Sequence, residues 1–266
     1  MMRLGTTSYI YHADIITNIR KLAGRVQDIE LVLFEADDEN NLPDRPVIEE
    51  LKRIASDHGM SYTVHLPLDL RLAACNRAAS VQKALRVIRS TEDLSPLGFI
   101  VHLEDENQNV GLDSPRWLDN SVIALEHLGG EIGDSSMLCP ENLENHSPLL
   151  LHRLLERVPV SCCVDVGHLW KQGLDPVSHL EQWLPRARIV HIHGIGTRDH
   201  ESISSVSAEK LDPVVGLLDG GFRGVLTFEV FSEADLRDSL EAFGRSLERV
   251  RARASTKKPE ERSPGL

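Results

Sequence analysis

The segment Cys162-Cys163-Val164-Asp165-Val166-Gly167-His168 runs apolar up to a carboxylate and offers an imidazole three residues later. On a strand, residues three apart face opposite ways, so both side chains reach one place only if the strand ends between them. Gly167 would permit that turn. Carboxylate and neutral imidazole are ligands for a divalent cation, which sends the search to the ends of other β-rich runs. Glu35 closes LVLFE, His65 lies in TVHLP, His102 in IVHLE, Glu141 in PENLEN and Glu229 in TFEVF. Glu144 competes with Glu141 but lies beyond its run. His191 and His193, two apart in VHIHG, share a face, so one can be a ligand and the other a group behind it. Asp199 and His200 occupy a later loop, GTRDHES, from which a side chain can reach back over the strand ends. Glu35 is equally a rim carboxylate, since an acidic loop, ADDEN, follows it.

A mixed oxygen and nitrogen set without thiolate suits zinc, manganese or ferrous iron, whereas calcium asks for oxygen alone. There are more candidates than one ion needs, which implies two or three. Cys139 and Cys163 each precede a proposed ligand by two and would point inward one layer lower, as small fillers. His12, His58, His127, His146, His152 and His179 fall on helical or loop stretches and read as surface residues. The patterns GxxxxGK[ST], GxGxxG and GxSxG are absent, so nucleoside triphosphate, dinucleotide and serine-hydrolase chemistry have no support.

The elements that must carry these residues alternate. Eight β-rich runs fall near Arg3–Tyr9, Ile29–Glu35, Ser61–Leu66, Gly98–Leu103, Met137–Leu143, Val160–Asp165, Arg188–Ile195 and Gly224–Phe231, separated by amphipathic helical stretches. One such stretch, PVIEELKRIASDHG, repeats Val47, Leu51 and Ile54 at helical spacing and ends on Gly59, a C-cap. Another, DSPRWLDNSVIALEHLGG, opens on an Asp-Ser-Pro start signal. Eightfold βα alternation predicts an α/β fold, a single (β/α)8 barrel, with a doubly wound sheet as runner-up. In such a barrel, catalytic groups sit at the C-terminal ends of the strands, where the candidates fall.

The chain of 266 residues suits one barrel, expected over residues 1–252, and the charged, proline-containing residues 253–266 are expected to be a disordered tail. Hydrophobic residues at 41% and charged residues at 26% describe an ordinary globular protein. A net charge of -12 argues against a nucleic-acid partner, because phosphate-backbone affinity comes from clustered Lys and Arg. The opening MMRLGTTSYIYHAD does not read as a signal peptide, no stretch has the length of a membrane span, and the four cysteines lack CxxC spacing. A cytoplasmic location with reduced thiols is the expectation.

With this ring of residues, the chain resembles the xylose isomerase-like barrels that include endonuclease IV, over about residues 3 to 250. The zinc-cluster branch carries ligands in the order His, His, Glu, Asp-x-x-His, His, a loop Asp and His, and Glu. The resemblance therefore implies metal ligation by His65, His102, Glu141, Asp165, His168, His191, His200 and Glu229. It implies catalytic or substrate-contact roles for Glu141, Glu229, His193 and Glu35, and a supporting role for Asp199. The family's loop ligands are spaced Asp-x-His, whereas Asp199 directly precedes His200 here. More narrowly, MRLGTTSYIY, ELVLFE, YTVHLPLD, HLE and CVDVGH resemble the cobamide-remodelling phosphodiesterases. That resemblance implies hydrolysis of the nucleotide-loop phosphodiester of a corrinoid substrate, with divalent metal ions, zinc first, as cofactor. The alternatives are an abasic-site endonuclease, a sugar isomerase or epimerase, and a non-catalytic corrinoid-binding protein.

Overall fold

The computed structural model describes residues 2–36, 39–106, 115–196, 198 and 200–256. Strands and helices alternate along it: β1 Arg3–Thr7, α1 Ile15–Leu22, β2 Asp28–Val32, α2 Arg45–His58, β3 Ser61–His65, α3 Ala78–Thr91, β4 Phe99–Val101, α4 Pro115–Ile132, β5 Leu138–Pro140 and α5 Pro148–Arg157. There follow β6 Cys162–Asp165, α6 Val166–Lys171, α7 Pro176–Trp183, β7 Ala187–Ile192, α8 Ala208–Gly221, β8 Val225–Phe228 and α9 Glu233–Thr256. Each of the eight predicted runs holds a strand. All strand pairs are parallel, in the order β5-β4-β3-β2-β1-β8-β7-β6. The two ends of that order meet through an isolated parallel bridge, Glu141 to Cys163, which nearly closes a (β/α)8 barrel.

Asn142 clasps this seam. Its Nδ2 donates to the Asp165 carbonyl at 2.9 Å, and its Oδ1 accepts from the Asp165 N–H at 2.8 Å, so a buried side chain supplies the ladder bonds that strand pairing does not. The helices pack an apolar face on the outside of the barrel. In α2 the buried stripe is Ile48, Leu51 and Ile54, one step from the expected Val47, which is half-buried. Asp44 caps its first turn, and Gly59 ends it in the left-handed conformation, as the sequence predicts. The predicted start of α4 at Asp113 and Ser114 lies outside the described residues. α9 continues to Thr256, its last six residues exposed, and residues 257–266 are not among the described residues. Among the described residues no helix is long and apolar enough to cross a membrane.

Candidate metal centre

Strands send every second side chain toward the barrel axis, so the inward residues form layers. Ile100, Cys139, Cys163, Ile189 and Val225 pack as an apolar plug, and both cysteines fill it as expected, their thiols pushed up by burial. Two residues further along β4, β5, β6 and β7 come His102, Glu141, Asp165 and His191. On β8, Val225 leads through Thr227 to Glu229. Each strand thus lifts its polar group just above a dry floor.

The segment that ends on Asp165 shows how two groups reach one point. Asp165 closes β6 and caps α6, its Oδ1 accepting the His168 N–H at 2.6 Å, so the imidazole three residues on lies one helical turn above the carboxylate. Gly167 has a different role from the one its sequence suggests. It is helical, with no positive φ, and a Cβ there would stand 2.2 Å from His193 Nε2, so the missing side chain makes room for an imidazole from β7.

His200 reaches the mouth by a turn. Gly194 and Glu201 form an antiparallel bridge that folds the loop after β7 back on itself, and His200, directly before Glu201, takes a left-handed φ of 54°. A residue with a Cβ costs of order 1 kcal/mol in that conformation, a cost that recurs at functional sites.

Four overlapping groups result, and the candidate ligand atoms within each lie within 4.8 Å of one another. One of them, Glu141 with Cys163 and His191, shares two members with the group of Glu141, Asp165, His191 and Glu229, so the four form three clusters. In the first, Glu141 Oε2 faces His102 Nε2 at 3.0 Å and His65 Nε2 at 3.6 Å. In the second, His191 Nδ1 faces Glu229 Oε2 at 3.2 Å, Glu141 Oε1 at 3.3 Å and Asp165 Oδ2 at 3.9 Å. The third is His168, His193 and His200, with the last two rings stacked 4.3 Å apart. Glu141 links the first two clusters through its separate oxygens. Glu229 Oε2, 3.4 Å from His200 Nε2, links the second to the third.

The residues fit divalent cations. Glu141 Oε1, Asp165 Oδ2, Glu229 Oε2, His191 Nδ1 and His193 Nε2 are buried with no hydrogen-bond partner among the described residues, yet they face one another. Eight other buried side-chain atoms among the described residues are also unpaired, but these five gather in the clusters, and each unpaired buried atom costs its desolvation. Carboxylate oxygens and ring nitrogens that converge without donors have a cation as their natural partner. The opposite ring nitrogens are held: His65, His168 and His193 set Nδ1 on the carbonyls of Leu66, Asn142 and Gly194, and His191 sets Nε2 2.7 Å from Glu30 Oε2. A proton assigned to each of those contacts leaves the other nitrogen of His65, His191 and His193 to face the centre with a lone pair.

Among the protein groups alone, burial disfavours the imidazolium, but the surrounding carboxylates outweigh it. His65 and His193 are pushed up to about 9 and His168 to about 11. Burial raises Glu141 and Glu229 in turn, and His191 first among the histidines overrides it and holds both well below the usual carboxylate range. A cation entering the ring displaces protons, so its binding strengthens as pH rises.

The match to a known family is extensive. The sequence profile of the xylose isomerase-like TIM barrel covers residues 23–253. The chain belongs to that family. Among curated proteins, none matches the chain. Solved structures of similar fold include a D-tagatose 3-epimerase-like protein, at 20% identity and TM-score 0.75 over 95% of this chain and 100% of that one. An L-ribulose 3-epimerase aligns at 17% identity and TM-score 0.75 over 99% and 100% of the two chains. An AP endonuclease, family 2, from Brucella melitensis aligns at 14% and 0.69 over 92% and 99%. At these identities the likeness is one of fold.

Within the barrel the eight candidate ligands converge. Glu35 lies past the end of β2 on the rim, in a bidentate pair with Arg86 at 2.8 to 3.0 Å, and belongs to none of the ligand clusters. The inward carboxylate of β2 is Glu30, fully buried against His191, which the sequence reading passed over. The alternation Asp28-Ile29-Glu30-Leu31 was the available signal, since it sets two carboxylates on the face opposite two aliphatic residues. His193 stands in the third cluster beside His168 and His200. Glu144 sits at the rim, where it pairs with His168 Nε2 at 2.8 Å and Lys171 at 3.1 Å, so His168 offers that nitrogen to a cation only on releasing Glu144. Asp199 lies outside the described residues. His146, expected at the surface, is buried edge-on against Trp117, 3.7 Å from Glu104, and burial pushes its pKa down.

Proposed function

We propose that this protein is a metal-dependent phosphodiesterase that hydrolyses the nucleotide-loop phosphodiester of a cobamide, giving cobinamide phosphate and an α-riboside for cobamide remodelling or salvage. The observation that carries the hydrolytic part is the pair of linking carboxylates. Glu141 and Glu229 join three ligand clusters into one array, a set suited to more than one ion. Bound divalent ions supply Lewis acidity toward phosphate oxygens and acidify water.

The chain's own groups do the rest. Glu141 and Glu229, kept ionised by the histidines around them, space the clusters so that a phosphate can meet several at once. His193, stacked on His200 at the mouth, completes the third cluster beside His168. The apolar plug below keeps water from entering through the barrel floor. The corrinoid substrate rests on the sequence resemblance. The four free cysteines, three of them buried, accord with a reducing cytoplasm.

One observation favours a second reading. Glu141, Asp165, His191 and Glu229 form a four-ligand group by themselves, enough for one ion in sugar epimerisation, the activity named for two of the similar folds. That reading leaves His65, His102, His168, His193 and His200 without a task.

The test is metal analysis of protein purified without chelator, followed by incubation with cobalamin. Two or more ions per chain and release of cobinamide phosphate are expected. Nicking of abasic DNA with cobalamin intact moves the assignment to an endonuclease, and interconversion of ketohexoses moves it to an epimerase. A metal-free protein that binds cobalamin without cutting it is a corrinoid-binding module.

A further inference from the structure

The ligands of the ring come from β3 through β8, and β1 and β2 contribute none of them at their ends. Over that ligand-free side of the mouth lies a cleft of about 670 Å³, built from the loops after β1, β2, β3 and β8, four strands that are neighbours in the barrel. Its apolar wall includes Tyr9, Val32, Phe34, Leu68 and Phe231. Tyr9, Leu68 and Phe231 are 39%, 59% and 46% exposed, and they are three of the six large hydrophobic residues most exposed among the described residues. Exposed apolar residues scattered singly mean little, but three gathered in one concavity mark a binding surface.

Two further observations say what the cleft accepts. First, four of its five polar lining side chains are already engaged, His12 being the exception: Glu35 by Arg86, Asp69 by Lys83 at 2.6 Å, the Tyr9 hydroxyl by Asn41 at 3.0 Å, and the Tyr11 hydroxyl by Glu233 and Arg25. A polyol or a charged group would find few free partners for its hydroxyls or charge, whereas an apolar ring needs none. Second, the cleft borders the ring of ligands through one of its lining residues, Phe231. Phe231 follows Glu229 by two residues, and its ring stands edge-on to His200 with centroids 5.4 Å apart. A group lying against Phe231 is therefore adjacent to whatever sits at the third cluster.

The geometry points to this cleft as the site for a neutral, planar aromatic ring carried by one of the two alcohols of the phosphodiester. The inference rests on the phosphodiesterase reading; for a cobamide the ring is the base of the nucleotide loop. Aromatic walls bind such rings by edge and face contacts and favour them over saturated sugars of similar polarity.

Binding to the full-length protein as purified tests it, with benzimidazole riboside and free ribose as the probes and calorimetry as the readout. The riboside is expected to bind at least tenfold tighter than ribose. Leu68→Asp, at a largely exposed position, and Tyr9→Ala are each expected to weaken the riboside tenfold or more while the thermal melt stays that of a folded protein. A riboside that binds no better than ribose overturns the inference, as do two folded variants that bind it like the wild type. The two readings fail separately. If the riboside binds as expected and metal-loaded protein leaves cobalamin uncut, the phosphodiesterase reading falls and the ring site stands. If cobalamin is cut and neither variant changes riboside binding, the ring site falls alone.

Discussion

Replacement of Glu30 tests the proposed metal centre without touching a candidate ligand. Its Oε2 lies 2.7 Å from His191 Nε2, both side chains fully buried, while His191 Nδ1 faces Glu141, Glu229 and Asp165. The carboxylate decides which nitrogen carries the proton and so which one is free for a cation. Glu30→Gln keeps an acceptor of the same reach and removes the charge. A hydrogen bond to a charged group contributes about 1.5–3 kcal/mol and a neutral one about 0.5–1.5, so the difference of about 1–1.5 kcal/mol lowers metal affinity about tenfold. Glu30→Leu removes the acceptor and leaves a buried N–H unpaired at a cost of about 1–3 kcal/mol, toward the hundredfold end of the range for partners behind metal ligands. Competition for zinc and manganese against a chromophoric chelator at pH 8 gives the affinities, and melts in chelator confirm that each variant folds. The metal-induced gain in stability should fall in step, by about 1.4 kcal/mol for each tenfold loss at saturating metal. A folded Glu30→Leu protein that binds zinc as tightly as the wild type refutes the reasoning.

Gly167→Ala sets a methyl 2.2 Å from the His193 ring, and such overpacking costs about 1–3 kcal/mol. Denaturant melts should show that loss, together with fewer ions bound by direct metal analysis; an unchanged melt would mean the ring moves freely. Asn142→Ala removes both bonds across the β5–β6 seam and leaves the Asp165 N–H and carbonyl unpaired, so a loss of about 2–4 kcal/mol is expected, and faster amide exchange at Asp165 localises it. Asp28 supplies a pH dependence. Burial raises its pKa from 3.8 to about 6 against the hydrogen bonds from Ser61 and Thr63. A raised folded pKa contributes stability at low pH that is lost as pH rises through about 6, an effect worth up to about 3 kcal/mol between pH 4 and pH 8. Asp28→Asn has no such proton to lose, so its stability relative to wild type should grow across that window in urea melts, and parallel curves for the two proteins would contradict it.

The barrel, and the strand ends that bring the candidate ligands together, were legible in the residues, because both rest on short-range periodicity. Eight β-rich runs set between helical stretches specify the alternation, and a His, Asp or Glu at the end of seven of them points to the end where chemistry is expected. The pair Asp165 and His168 could be read as one unit, since a capping carboxylate and a group one turn above it are local geometry. What lies across the barrel could not be read so. Period two says that Glu30, His191 and His193 point inward, but the height at which each arrives depends on the stagger between strands. That stagger aligns Glu30 with Thr63 on one side, and His191 with Asp165 and Thr227 on the other. Only this register brings Glu30, on β2, against an imidazole 161 positions later, and only the packing of β7 against α6 explains why residue 167 must lack a side chain. Glu35 shows the converse: it ends an apolar run in the sequence, yet β2 stops at Val32, and three residues of loop are enough to turn the carboxylate outward to Arg86. Local pattern determines which face a side chain takes, and tertiary register decides which partner it meets there.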